Sequence, residues 1–219
     1  MMLKKILNDK RVIIGTIITV IAVLTTLIIS IGTNDKYKFV NISDGEQIKK
    51  EYEFLNNKET SEGKKYPKVE LSSNNILKYS NIESILEIFD NEKDSVIFFG
   101  SPNCLYCRSA IEVLCDSSKD TNLKTIHYLD IQPTAENYNK LIEKIGNKYT
   151  INEEGKEIYK PLVLFITDGV IVSYKKDTVY SHQDPYKLLN DSQKEGLEFI
   201  YKSGIDNVVD SIKLKESVK

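Results

Sequence analysis

Residues 95–107 read SVIFFGSPNCLYC. Ser95-Val96-Ile97-Phe98-Phe99-Gly100 is a short apolar run of the kind that forms a strand buried on both faces. A helix is expected to follow from about Cys104 to Cys115. Cys104-Leu105-Tyr106-Cys107 thus leaves a buried strand and opens a helix. A cysteine there faces unpaired backbone N–H groups and the positive end of the helix dipole. Both favour thiolate over thiol, and the thiolate is the nucleophile. Two intervening residues bring the second sulfur within bonding distance of the first. Attack by Cys104 on a partner disulfide gives a mixed disulfide, which Cys107 resolves.

Other uses of the pair fit less well. A zinc site needs two further ligands, and Cys115, His127 and His182 offer no paired spacing, so no metal is expected. A structural bridge across so short a loop stabilises little. Cys115 lies eleven residues after Cys104, about 16 Å along a helix. A disulfide needs Cα atoms within about 7 Å, so Cys115 is expected to be a small core residue instead. His127 lies mid-strand and is read as a structural histidine. His182 sits in a polar loop and carries no signal. Tyr106, between the cysteines, either presents its ring to a client protein or covers the disulfide edge.

Working outward, 68–71 and 75–79 are strand candidates. Ser80-Asn81-Ile82-Glu83 resembles a capping box opening a helix through Ile88. Thr125–Ile131 is the next strand, and Ala135–Ile145 has apolar residues at helical spacing. A polar insert follows around 150–160. Pro161 then opens PLVLFIT, and Asp168-Gly169 turns it into Val170–Tyr174, a strong hairpin signal. Two C-terminal helices are expected, over 193–202 and 208–213. The order is β-α-β, α, β-hairpin, α. It predicts an α/β fold with a mixed sheet, parallel across the helical crossover and flanked by helices.

The chain has 219 residues and a formal net charge of −2, with no basic excess to hold phosphates, so nucleic acid is not an expected partner. With three cysteines it is no disulfide-rich scaffold, and no internal repeat suggests a solenoid. Its N-terminus is different in kind. Val12–Asn34 carries no charge, and Val12–Ile31 (VIIGTIITVIAVLTTLIISI) is almost wholly apolar. Twenty helical residues rise about 30 Å, the thickness of a bilayer's hydrocarbon core. The tail 1–11 is +3, with Lys4, Lys5, Lys10 and Arg11 against Asp9, and everything after it sums to −5. The positive-inside rule then leaves the tail in the cytoplasm and sends the C-terminal part across the membrane. A cleaved signal peptide, with Ser30 and Gly32 at the cleavage site, is the rival. Its apolar region is usually about 7–15 residues, shorter than this one. No cysteine adjoins the run, which excludes a bacterial lipid anchor. The expected organisation is a cytoplasmic tail (1–11), an uncleaved transmembrane anchor (12–34), a polar spacer (35–70) containing a short helix over 47–57, and a domain (71–219).

Strand, Cys-x-x-Cys, helix, strand, helix and proline-led hairpin together resemble the thioredoxin superfamily, over about 75–189. In that family a cis-proline opens the strand facing the Cys-x-x-Cys, and Pro161-Leu-Val-Leu-Phe-Ile-Thr-Asp-Gly169 is similar in length and texture. The anchored, lysine-rich form resembles membrane-tethered thioredoxin-like proteins of Gram-positive bacteria, including bacteriocin transport accessory proteins. The resemblance implies a thioredoxin-like sheet, catalytic Cys104 and Cys107, a cis Lys160–Pro161 bond facing them, and no cofactor. It implies substrate contacts at Tyr106, Lys160 and Pro161, and protein thiols or disulfides as partners. Lys160 then lies close to the first sulfur. With its ammonium turned to the disulfide it would favour the Cys104 thiolate and raise the potential above thioredoxin's.

Three positions depart from the family. Asn103 replaces the usual tryptophan, Phe98 the buried acid, and Leu105-Tyr106 the Gly-Pro dipeptide. They argue against a general cytosolic-type reductant. The expected activity is that of an extracytoplasmic thiol-disulfide oxidoreductase tethered at the membrane. The alternative is a thioredoxin-fold adaptor that binds beside Pro161 without turnover. The orientation has a direct check: protease added to intact spheroplasts should digest the C-terminal domain, and protection of that domain would overturn it.

Overall fold

The computed structural model describes residues 42–151 and 157–218. The expected tail and anchor lie outside the described residues. Among the described residues no helix is long and apolar enough to cross a membrane.

Five strands form one mixed sheet in the order β1-β3-β2-β4-β5. They are β1 (Leu77–Tyr79), β2 (Ser95–Phe99), β3 (Ile126–Leu129), β4 (Leu162–Thr167) and β5 (Val170–Lys176). β3 runs parallel to both β1 and β2, whereas β4 is antiparallel to β2 and β5. Val96 pairs with Ile126 on one side and Phe165 on the other. β2 is therefore central and buried along its whole length.

Side chains alternate across a strand, so an all-apolar β2 feeds two cores. Val96 and Phe98 join Ile126, Tyr128, Val163 and Phe165 beneath α1 (Asp44–Phe54), α3 (Leu105–Ser118) and α5 (Asp191–Ser217). Ile97 and Phe99 join Leu129, Leu162, Leu164 and Ile166 beneath α2 (Ile82–Asp90) and α4 (Tyr138–Ile145). The expected mixed sheet with helices on both faces is present.

Local signals set most boundaries. Asn81 caps α2 in a reciprocal capping box with Ser84, one residue later than the quartet suggested. The β4–β5 hairpin turns at Asp168 (φ 50°) and Gly169 (φ 68°), the left-handed pair that a two-residue hairpin needs. Lys215 near the end of α5 lies 2.7 Å from both Asp94 and Asp168, holding that helix end to the turn.

Three expectations are corrected. The stretch 68–71 forms no strand, although Val69 and Leu71 are buried. The C-terminal region is one 27-residue helix rather than two. Gly204 lies inside it because a Cβ there would sit 2.6 Å from the Phe165 ring, so the glycine permits close approach to β4 and does not end the helix. The region read as a polar spacer is, from Ser43 onward, part of the domain. Ser43 caps α1 by accepting from the Glu46 N–H, and Ile48 and Tyr52 on its inner face are fully buried. Gly45 makes that docking feasible: its carbonyl accepts from Asn75 Nδ2 at 2.9 Å, and a Cβ would meet Asn75 Oδ1 at 2.5 Å.

A core position in α1 is expected to matter to stability. Ile48→Ala should cost about 2–5 kcal/mol in urea unfolding. A loss below about 0.5 kcal/mol, typical of a surface position, would contradict the packing.

Candidate functional site

The chain leaves β2 at Phe99 and turns through Gly100, Ser101, Pro102 and Asn103 into α3. Cys104 is the N-cap of that helix, in an extended conformation (φ −77°, ψ 114°). Its sulfur accepts the Cys107 N–H at 3.2 Å. Sulfur thus occupies the place that a serine or aspartate oxygen takes in an ordinary cap. Cys104 and Cys107 are joined as a disulfide, with Cα atoms 5.1 Å apart. Cys104 is partly exposed and Cys107 fully buried. An incoming disulfide can therefore meet Cys104. On reduction, the N–H that faces its sulfur becomes a charge-assisted donor to the thiolate.

Lys160 and Pro161 lie opposite the pair. Their peptide bond is cis, as the resemblance implied. The Lys160 carbonyl oxygen is 3.6 Å from Cys104 Sγ. In the disulfide that sulfur carries no proton, so this is a contact. In the dithiol the same carbonyl is placed to accept the S–H. The Lys160 ammonium is engaged elsewhere: it donates to Asp130 Oδ1 at 3.1 Å and to the Ile131 carbonyl at 2.8 Å. The idea that this charge faces the disulfide is therefore corrected. A carboxylate just past the end of β3, on the far side of β2, captures it, and only the Lys160 backbone meets the sulfur.

Tyr106 is half-buried. Its hydroxyl donates to the Gln183 carbonyl at 3.2 Å, and its ring packs edge-on against His182 at 5.4 Å. The ring thus rests on the loop after β5. His182 is buried within that loop. Its Nε2 lies 2.8 Å from the Lys187 carbonyl, which makes Nε2 the protonated nitrogen, so Nδ1 accepts from the Thr178 hydroxyl at 2.9 Å. No local pattern marks this burial, since His182 stands between Ser181 and Gln183 in a loop without periodicity. His127 is a satisfied structural residue on β3, with Nδ1 2.7 Å from Ser80 Oγ, and burial lowers its pKa.

Phe98, in place of the family's acid, is fully buried in the same core as Cys107, with its ring 5.9 Å from that of Tyr128. Burial drives the Tyr52 and Tyr128 phenols in that core well above their usual pKa, so both stay protonated. Between α1 and the approach turn lies an open surface groove of about 610 Å³, lined by Phe54, Leu55, Pro102, Asn103 and Asp130 among others.

Arg108 escaped the sequence reading altogether. It follows Cys107 directly and is fully buried. Its guanidinium donates to the carbonyls of Pro67, Tyr52 and Pro102 and to Asn56 Oδ1 at 2.7–3.1 Å. The only available signal was a charged residue one turn below a helix cap, which ordinarily marks a solvated face.

No family model and no curated protein matches the chain. One solved structure similar to it is thioredoxin O2 from Arabidopsis thaliana in the oxidized state, at 18% identity and a TM-score of 0.36, covering 52% of this chain and 96% of that one. The strand order, the half-exposed disulfide capping α3 and the cis bond opposite it rest on the chain's own geometry. Together they are consistent with a thioredoxin-like fold.

Cys115 is a free cysteine in the core, as expected, and burial pushes its thiol up to about 12. It should therefore stay protonated and unreactive across the physiological range. After reduction at pH 8, iodoacetamide should label the partly exposed Cys104 rapidly in the native protein, and Cys115 only after denaturation. Rapid native labelling of Cys115 would contradict its burial.

Proposed function

We propose that this chain is a membrane-tethered, extracytoplasmic thiol-disulfide oxidoreductase acting on protein substrates, of the bacteriocin transport accessory type. The observation that carries the reading is the asymmetry of the pair: Cys104 partly exposed at the helix cap, Cys107 covered behind it. Cys104 attacks a client disulfide, its thiolate stabilised by the α3 N-terminus, and one client sulfur leaves as thiolate. The mixed disulfide is resolved when Cys107 attacks Cys104 Sγ, releasing the second client thiol and leaving the disulfide found here. The reverse sequence oxidises a client dithiol. Lys160 and Pro161 form the wall against which the client chain lies, and Tyr106 borders it.

Tethering rests on the apolar run at Val12–Asn34 and its flanking charge. An adaptor without turnover would require neither an accessible sulfur at a helix cap nor a second one behind it. With Phe98 where an acid would accept the Cys107 proton, resolution is expected to be slow relative to thioredoxin.

The roles separate by trapping. Cys107→Ser should accumulate mixed disulfides with client proteins, while Cys104→Ser should accumulate none and lose all reduction of a model protein disulfide. The reverse pattern would overturn the assignment. Wild-type protein inert towards both disulfides and dithiols would favour the adaptor.

A further inference from the structure

Arg108 is a buried cation with no anion beside it. The acceptors of its guanidinium are three backbone carbonyls and one amide oxygen, and the Tyr66 ring lies 5.4 Å away. Among the described residues no carboxylate pairs with it. Burying an arginine in this way is costly, because neutral acceptors replace hydration only in part. Arginine nonetheless stays charged under such conditions.

The charge is carried by the residue directly after the disulfide loop. The Arg108 N–H bonds the Cys104 carbonyl at 3.2 Å, placing Arg108 one helical turn below the cap. Its guanidinium also reaches back to Pro102, whose carbonyl accepts at 3.1 Å. Pro102 is two residues before Cys104, no more than about 7 Å along the backbone. In the oxidised protein both sulfurs are neutral. The first anion to form nearby is the thiolate released when the disulfide is reduced.

We propose that Arg108 is a positioning residue that sets the redox poise: its buried, anion-free guanidinium favours the Cys104 thiolate and so makes the disulfide more oxidising. This rests on the oxidoreductase reading. It also supplies the cationic influence that Lys160, committed to Asp130, does not. The contacts to Tyr52, Asn56 and Pro67 hold the guanidinium against the loop, which gives the segment around α1 a part in the chemistry.

The test is equilibration of the detergent-solubilised full-length protein with glutathione. Protein disulfide plus two glutathione thiols gives protein dithiol plus one glutathione disulfide, a balanced two-electron exchange. Arg108→Gln should shift this equilibrium about tenfold towards the protein disulfide, about 30 mV for a two-electron couple. Arg108→Lys keeps the charge and should stay within about threefold of wild type by the same relation. The pH midpoint of Cys104 alkylation should move up in the glutamine variant and much less in the lysine variant. Should Arg108→Gln fail to fold, Asn56→Asp decides: it leaves the guanidinium in place but sets a carboxylate against it, and should shift the equilibrium in the same direction. Equal shifts for glutamine and lysine, or no shift for glutamine or for Asn56→Asp, would overturn the inference. Failure of wild-type protein to exchange with glutathione would instead overturn the oxidoreductase reading.

Discussion

A strand that is apolar on both faces must be covered twice, and β2 is that strand. Val96 and Phe98 require one layer of helices, Ile97 and Phe99 another. Only a central place in the sheet satisfies both, with β3 and β4 supplying the backbone partners. The chain must then leave at the end of β2, where the buried layer stops. It turns there into α3, and the residue that caps this helix is Cys104. The position of the disulfide is thus a consequence of covering β2. Its chemistry follows from the cap, because a sulfur that accepts the Cys107 N–H already faces the helix dipole.

The segment around α1 shows how few apolar residues integrate a polar stretch. Ile48, Tyr52, Val69 and Leu71 are all buried, although the sequence around them is dominated by Lys, Glu and Asn. Polar contacts complete the docking: Asn75 bonds the Gly45 carbonyl, and Asn56 binds Val69 through both its N–H and its carbonyl. Arg108 joins this segment to the turn before the disulfide. One buried guanidinium with a fixed fork of donors can satisfy several carbonyls at once, which a flexible ammonium cannot do as well.

The same rule governs Lys160. Its backbone faces Cys104 because the chain enters β4 there, while its side chain goes to the nearest anion, Asp130. Electrostatic influence at this site therefore depends on which cations already have partners. Lys160 has a carboxylate, and Arg108 has only neutral acceptors.

Much of the architecture was legible in the sequence because its signals are local. Apolar runs mark β2 and β4, Asp168-Gly169 marks the hairpin, and Asn81 lies within the stretch marking the start of α2. Cys-x-x-Cys after a buried strand named the candidate pair, and Pro161 named the loop opposite. The sequence misled where a residue's meaning depends on a distant neighbour. The gap between the two expected C-terminal helices is itself helical, with Gly204 there packed closely against Phe165. His182 sits in a polar stretch and Arg108 is a charged residue on a helix, so neither carries a local signal of the burial that distant segments impose. Order of elements, helix caps and turn geometry act within a few residues, so the sequence by itself determined them. Which charges are buried, and which of them remain without a counter-ion beside the disulfide, depends on segments far apart in the chain, and only tertiary packing decided that.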